Sequence, residues 1–228
     1  MSIKLKTLIP ESAVWEGPQP SPLLGKYILK NMKQEISEWL YHGSPYDGLL
    51  SMLEGGIFGM EHGEVAESDT ISTSLNSNII RLFSEGCGET GLKFKAENIS
   101  VIVLDDMILK LVTELAGSGF DAQVEDEEKF KKFCRAFHVP AKRGEYYLPR
   151  NYLSSLGVDA FTFDYVWRRH QSGYSHPHND ESEICFIGKG VDKLNSIVSE
   201  IYVDGEAYDI DDKALAIEAI KEKLNDKT

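Results

Sequence analysis

Three short segments combine side chains that do chemistry with the texture of strands that would hold them still. They are Tyr41-His42-Gly43, Ile71-Ser72-Thr73-Ser74 and Glu181-Ser182-Glu183, the last running into Ile184-Cys185-Phe186-Ile187. Period-two geometry sends both carboxylates of Glu-x-Glu to one side of a strand, where like charges cost energy unless something uses them. A carboxylate held that way can stabilise a developing positive charge or act as a general base. An imidazole followed by glycine offers a hydrogen-bonding ring beside bare backbone that a ligand can approach closely. Each segment also has a plain structural explanation, as a packed histidine, a strand edge or a solvated strand start. They become informative only as an ordered set.

The flanking residues show what must position these groups. Trp39-Leu40-Tyr41-His42 is an aromatic and apolar run stopping at Gly43, which predicts a strand. Ser44 as cap and Pro45 at the first helical position, then Tyr46, Leu49, Leu50, Leu53 and Ile57 at helical spacing, predict a helix directly after it. Thr70 to Leu75 predicts a second strand, and Asn76 to Asn78 a cap for a helix bearing Ile79, Ile80, Leu82 and Phe83. Further strands are expected at 91–96, 99–104, 158–165, 183–188 and 199–204, and a helix at 106–116. Over 125–138, Phe130, Phe133, Cys134 and Phe137 mark a core-facing helical stripe. A last helix starts at Asp211 or Asp212 and presents Leu215, Ile217, Ile220 and Leu224 as a ragged apolar face that could dock on the body or on a partner. The prolines and glycines of residues 15–25 read as an extended connector. Residues 1–37 are therefore expected to form an N-terminal arm and connector, 38–205 the main domain with a helical insertion over 106–157, and 206–228 a C-terminal helix.

A formal charge of −13 over 228 residues repels phosphate backbones and anionic membrane surfaces, which argues against nonspecific nucleic-acid binding. A local basic groove would draw on Lys129, Lys131, Lys132, Arg135, Lys142, Arg143, Arg150, Arg168 and Arg169, although such runs are commonly solvated mixed-charge faces. Cys87, Cys134 and Cys185 are odd in number, widely separated and without a CxxC pair, which predicts neither a disulfide framework nor a cysteine-ligated zinc. His170, His176 and His178 have no cysteine or tight carboxylate partner to complete a tetrahedral set, so no metal is expected. No apolar run reaches signal-peptide or membrane-span length, and the expectation is a soluble cytoplasmic protein with no membrane partner.

The order and surroundings of the three segments resemble the ADP-ribosyltransferase superfamily along most of residues 38–205. The resemblance is carried by LYHGSPYDGLLSMLEGGI, DTISTSLNSNIIRLFSEG and ESEICFIGKGVDKLNSIVSEIYVDG. It implies an α+β fold, with an ADP-ribosyltransferase-like split β-sheet core and flanking helices. It also implies transfer of ADP-ribose from NAD⁺, as co-substrate, to a macromolecular acceptor that is protein or nucleic acid. By this resemblance Glu183 is the catalytic carboxylate, His42 and Ser72 complete the catalytic set, and Glu181 engages or polarises the acceptor. Gly43, Thr73, Ser74 and Phe83 join His42 and Ser72 in holding NAD⁺. Trp167, Arg168, Arg169, Tyr174, His176 and His178 lie where relatives carry an acceptor-recognition loop.

A histidine in the first position is similar to the poly(ADP-ribose) polymerase and diphtheria-toxin group. Ser-Thr-Ser with Glu-x-Glu is similar to the Arg-Ser-Glu group of bacterial toxins and phage enzymes. Mono-ADP-ribosyl transfer by a toxin, or by a member of a toxin–antitoxin or phage-related system with an inhibitory partner, is the reading this implies. NAD⁺ hydrolysis and a catalytically silent binding module of the same fold are the alternatives.

Overall fold

In the computed structural model, which describes residues 20–57, 60–62, 66–84, 86–116, 124–142, 144–149, 152–172 and 183–226, the prolines near residue 20 begin a helix. The Ser21 hydroxyl accepts from Leu23 N at 3.3 Å and Pro22 takes the first helical position, where its missing N–H costs nothing. The chain then runs α1 (Pro22–Asn31), β1 (Lys33–Ile36), β2 (Trp39–Gly43), α2 (Tyr46–Gly55), β3 (Met60–His62), β4 (Ala66–Ser74), α3 (Ile79–Leu82), β5 (Gly91–Lys95) and β6 (Ile99–Leu104). It continues through α4 (Asp106–Ala116), α5 (Glu127–Ala136), β7 (Ala141–Lys142), β8 (Glu145–Tyr146), α6 (Tyr152–Ser155), β9 (Ala160–Phe163) and α7 (Asp164–Gln171). It closes with β10 (Glu183–Ile187), α8 (Lys189–Ile197), β11 (Val198–Val203), β12 (Glu206–Asp209) and α9 (Lys213–Asn225).

These elements make a mixed α+β structure around one large sheet of order β1-β6-β9-β10-β4-β2-β5-β11-β12, with β3 added to β4. Every pairing in it is antiparallel except β6 with β9. The join between β4 and β2 is a single residue pair, Ser74 with Tyr41. That pair joins a first half-sheet, β1-β6-β9-β10-β4, to a second half-sheet, β2-β5-β11-β12, within the one sheet.

One apolar cluster draws Leu40, Leu92, Phe94 and Ile201 from the second half-sheet and Ile71, Ile184, Phe186 and Val101 from the first. Leu49 and Leu53 of α2 and Ala216 and Ile220 of α9 complete it. The other face of the first half-sheet, with Ile102, Leu104, Phe161, Phe163, Cys185 and Ile187, packs on Leu24 and Ile28 of α1, Ile108 and Leu111 of α4, and Phe130 and Cys134 of α5. Residues of β10 are covered on both faces, which is why this strand reads as a continuous apolar run rather than an alternation.

The expected boundaries change accordingly. Residues 22–36 are not an arm: α1 contributes fully buried side chains, and β1 pairs residue for residue with β6 at the sheet edge. Described residues of 106–157, among them Ile108, Leu111, Phe130, Cys134 and Leu148, pack into that same core. Residues 206–228 add a strand, β12, before α9, and α9 buries Ala216 and Ile220 while Leu215 is 55% exposed. The expected strand at 158–165 ends at Phe163, and Asp164 opens α7. Ser44 does not cap α2, since Pro45 holds that place without a side-chain bond and the Ser44 hydroxyl donates to Pro45 O.

The glycine turn after α2 is closed from a distance. The Asn195 side chain of α8 accepts from Ile57 N at 2.7 Å and donates to Ile57 O at 2.9 Å. That reciprocal pair pins the end of the α2 segment to α8.

Candidate active site

Ser72 sits in a gap of the β4 ladder. On the edge of β4 turned away from β10, β2 pairs at Ser74 and β3 pairs at Thr70, with Ser72 between them. The Ser72 carbonyl takes its hydrogen bond from a side chain instead, His42 Nδ1 at 2.7 Å. A carbonyl only accepts, so Nδ1 carries the hydrogen in this contact. His42 is half-buried at the end of β2, directly before Gly43.

The other edge of β4 meets β10 in the register Glu183 with Ser74 and Cys185 with Ser72. Directly paired side chains share a face, so Glu183, Ser74, Cys185 and Ser72 all project to one side of the sheet. There the Ser72 hydroxyl donates to Glu183 Oε1. His42, Ser72 and Glu183, drawn from three strands and separated by up to 141 positions, therefore form one connected chain: ring N–H to Ser72 carbonyl, Ser72 hydroxyl to Glu183 carboxylate.

Cys185 lies behind this pair, its Sγ 3.7 Å from Ser72 Oγ. Burial, and after it the Glu183 charge, push the thiol well above its ordinary pKa and keep it protonated.

Thr73 and Ser74, expected to help hold NAD⁺, are buried and engaged in the scaffold. The Thr73 hydroxyl donates to Ile184 O at 3.0 Å, and the Ser74 hydroxyl accepts from Asn76 N at 3.0 Å, shaping the turn into α3. Gly43 has a packing reason for being glycine: a Cβ there would stand 2.3 Å from Ile79 O, so the absent side chain lets α3 seat on β2. Phe83, just past α3, is 55% exposed and Leu82 63% exposed.

The acceptor-loop residues divide. Trp167 is on α7 and packs partly buried against the central core, which accounts for an aromatic there without an acceptor. Arg168 is exposed on the same helix and pairs with Asp164 one turn earlier at 2.5 Å. Arg169 and His170 lie in α7, and nothing further is described of their side chains. Glu181, Tyr174, His176 and His178 lie outside the described residues. Of the basic-groove residues, Lys131 pairs with Glu127 at 3.2 Å on α5, in keeping with a mixed-charge face.

The register also extends the row that starts at Glu183 and Ser74 through Tyr41, Lys93 and Glu200. Lys93 binds Glu200 at 2.7 Å and stands 4.3 Å over the Trp39 ring, and Tyr202 donates to Glu200 at 2.7 Å. The hydrogen bonds from Lys93 and then Tyr202 hold the Glu200 carboxyl below its ordinary range. This flank of the site is a closed ionic network.

Sequence reasoning missed Cys185 and Thr162. Period two from Glu183 was enough to put Cys185 on the same face, whereas Thr162 announces itself only as a polar residue within the apolar strand Ala160–Phe163. Among the described residues no group of three or more His, Cys, Asp or Glu side chains is placed to hold a metal ion, and no helix is long and apolar enough to cross a membrane. No protein-family model, curated protein or solved structure matches the chain.

Proposed function

We propose that the chain transfers a single ADP-ribose from NAD⁺ to a macromolecular acceptor, with Glu183, Ser72 and His42 as the working set. The observation that carries this reading is the hydrogen-bonded chain from His42 through Ser72 to Glu183, beside the single residue pair that joins β4 to β2. The three segments that resemble the superfamily are the ones these contacts join. The divided sheet with flanking helices supports the same reading.

Cleavage of the bond between nicotinamide and ribose leaves the electron pair on nicotinamide and positive charge on the ribosyl ring. A fixed carboxylate stabilises that charge, as in glycoside cleavage. Glu183 supplies it, and Ser72 holds one carboxylate oxygen so that the charge is already aimed when the bond stretches. His42, oriented through Nδ1, is suited to hydrogen-bonding a ribose hydroxyl through Nε2. The acceptor nucleophile then bonds to the ribosyl carbon and loses its proton to a base, the role assigned to Glu181.

The test is incubation of the native chain and Glu183→Gln with NAD⁺ labelled in its ADP-ribose part and a cell lysate. Label appearing in protein or in nucleic acid, and falling on the order of 100-fold or more with Glu183→Gln, supports the reading. Release of free ADP-ribose alone identifies a hydrolase. No consumption of NAD⁺, or equal activity of the Gln chain, overturns the assignment.

A further inference from the structure

Glu183 is the first residue of β10. Its register partner on β4 is Ser74, and the register with β9 begins one residue later with Ile184 and Thr162. At that start the Glu183 carbonyl accepts a side-chain donor: Thr162 Oγ1 donates to it at 2.7 Å. On the opposite strand Thr73 Oγ1 donates to the next carbonyl, Ile184 O, at 3.0 Å. Two threonines on the strands flanking β10 therefore clasp consecutive carbonyls at the point where the carboxylate leaves the backbone.

The residue type at 162 fits this use. Thr162 is 0% exposed within a strand whose other members, Ala160, Phe161 and Phe163, are all apolar and buried. For packing alone valine would fill the same shape and carry no hydroxyl to satisfy, and a buried hydroxyl without a partner is costly. The hydroxyl is satisfied by Glu183 O, and that is what it contributes beyond volume. Without it the Glu183 carbonyl loses this donor, and the head of β10 is freer to move relative to Ser72 on β4.

We propose that Thr162 is a positioning residue for Glu183, its hydroxyl fixing the head of β10 so that the carboxylate stays on Ser72. The inference rests on the reading of Glu183 as the transfer carboxylate. Misplacement of a reacting group by about 1 Å costs up to about 100-fold in rate, so loss of the clasp should act on kcat.

The experiment compares native, Thr162→Val and Thr162→Ser chains in NAD⁺ consumption and in crystal structures grown at one pH. The expected result is a kcat about tenfold to 100-fold lower for Thr162→Val with KM for NAD⁺ changed less than about threefold, and a kcat near native for Thr162→Ser. In the crystals the Ser72–Glu183 contact should be broken or split between positions in the Val chain only. A purely structural role predicts the reverse order, because Ser leaves a methyl-sized void and Val does not.

Native kcat in the Val chain, an Ser chain worse than the Val chain, or an undisturbed Ser72–Glu183 contact in the Val crystal overturns the proposal. Should the native chain consume no NAD⁺, the reading of Glu183 fails by itself, and the crystal comparison still decides what Thr162 does.

Discussion

Ser72→Ala removes one oxygen and with it the bond that aims Glu183, while leaving the Ser72 carbonyl that orients His42. The rate effect can be worked from that geometry. A hydrogen bond to a charged group contributes about 1.5–3 kcal/mol. Glu183 is half-buried, so water replaces part of what is lost and the lower half of that range, about 1.5–2 kcal/mol, applies. With about 1.4 kcal/mol per factor of ten, kcat should fall about tenfold to 30-fold. KM should change little, because His42 keeps its Nδ1 partner. Ser72→Thr retains a hydroxyl and should recover a substantial part of the rate. The assay is the initial rate of nicotinamide release over a range of NAD⁺ concentrations, with a thermal melt of each chain to show that the fold is intact. An Ala chain within twofold of native kcat would refute the claim that Ser72 positions the carboxylate, even if Glu183→Gln were inactive.

Two further outcomes test the scaffold. Gly43→Ala places a methyl 2.3 Å from Ile79 O, a backbone atom that cannot swing aside, so α3 must shift and the fold should lose about 1–3 kcal/mol in urea unfolding; an unchanged midpoint would show that α3 does not depend on that glycine. Asp105 accepts from Ile108 N at 2.9 Å at the head of α4, and burial above all raises its carboxyl pKa. The folded state then holds the proton more tightly than the unfolded chain, so this group's contribution is present below the ordinary aspartate value of about 3.9 and is lost as the pH rises through the raised folded value. Asp105→Asn keeps an acceptor that does not titrate. It should match native stability under acid conditions and exceed it increasingly toward neutrality, and a difference between the two melting curves that does not change with pH would contradict the assignment.

How much of this was legible in the sequence follows from what each feature depends on. Strands β2, β5, β6, β10 and β11, and the second half of β4 from Thr70, were readable because β-branched and aromatic runs bounded by glycine, asparagine or aspartate depend only on local composition, whereas the polar residues 66–69 gave no such sign of the first half of β4. The start of α1 was also written locally, as Ser21 before Pro22, yet the prolines at 18 and 20 made the stretch read as a connector. The end of β9 was not legible. Val158, Ala160, Phe161 and Phe163 are apolar whichever way the chain turns next, and Asp164 opens a helix where Val166 of α7 has the first half-sheet to pack against.

The chemistry of the site depends on register, and register is the part that local pattern specifies least. Had β2 continued along β4 beyond Ser74, a strand N–H would have filled the Ser72 carbonyl, and His42 would have been one more outward or inward side chain on an ordinary ladder. The break at Tyr41 turns a missing backbone bond into an oriented imidazole. On the far side of β10 a threonine hydroxyl, Thr162 Oγ1, donates to Glu183 O. In both places a side chain donates to a strand carbonyl at the His42, Ser72 and Glu183 set. A repair that inserted a backbone partner at Ser72 O should preserve the sheet and weaken the site, because the ordering of His42 comes from the gap between strands as much as from the strands themselves.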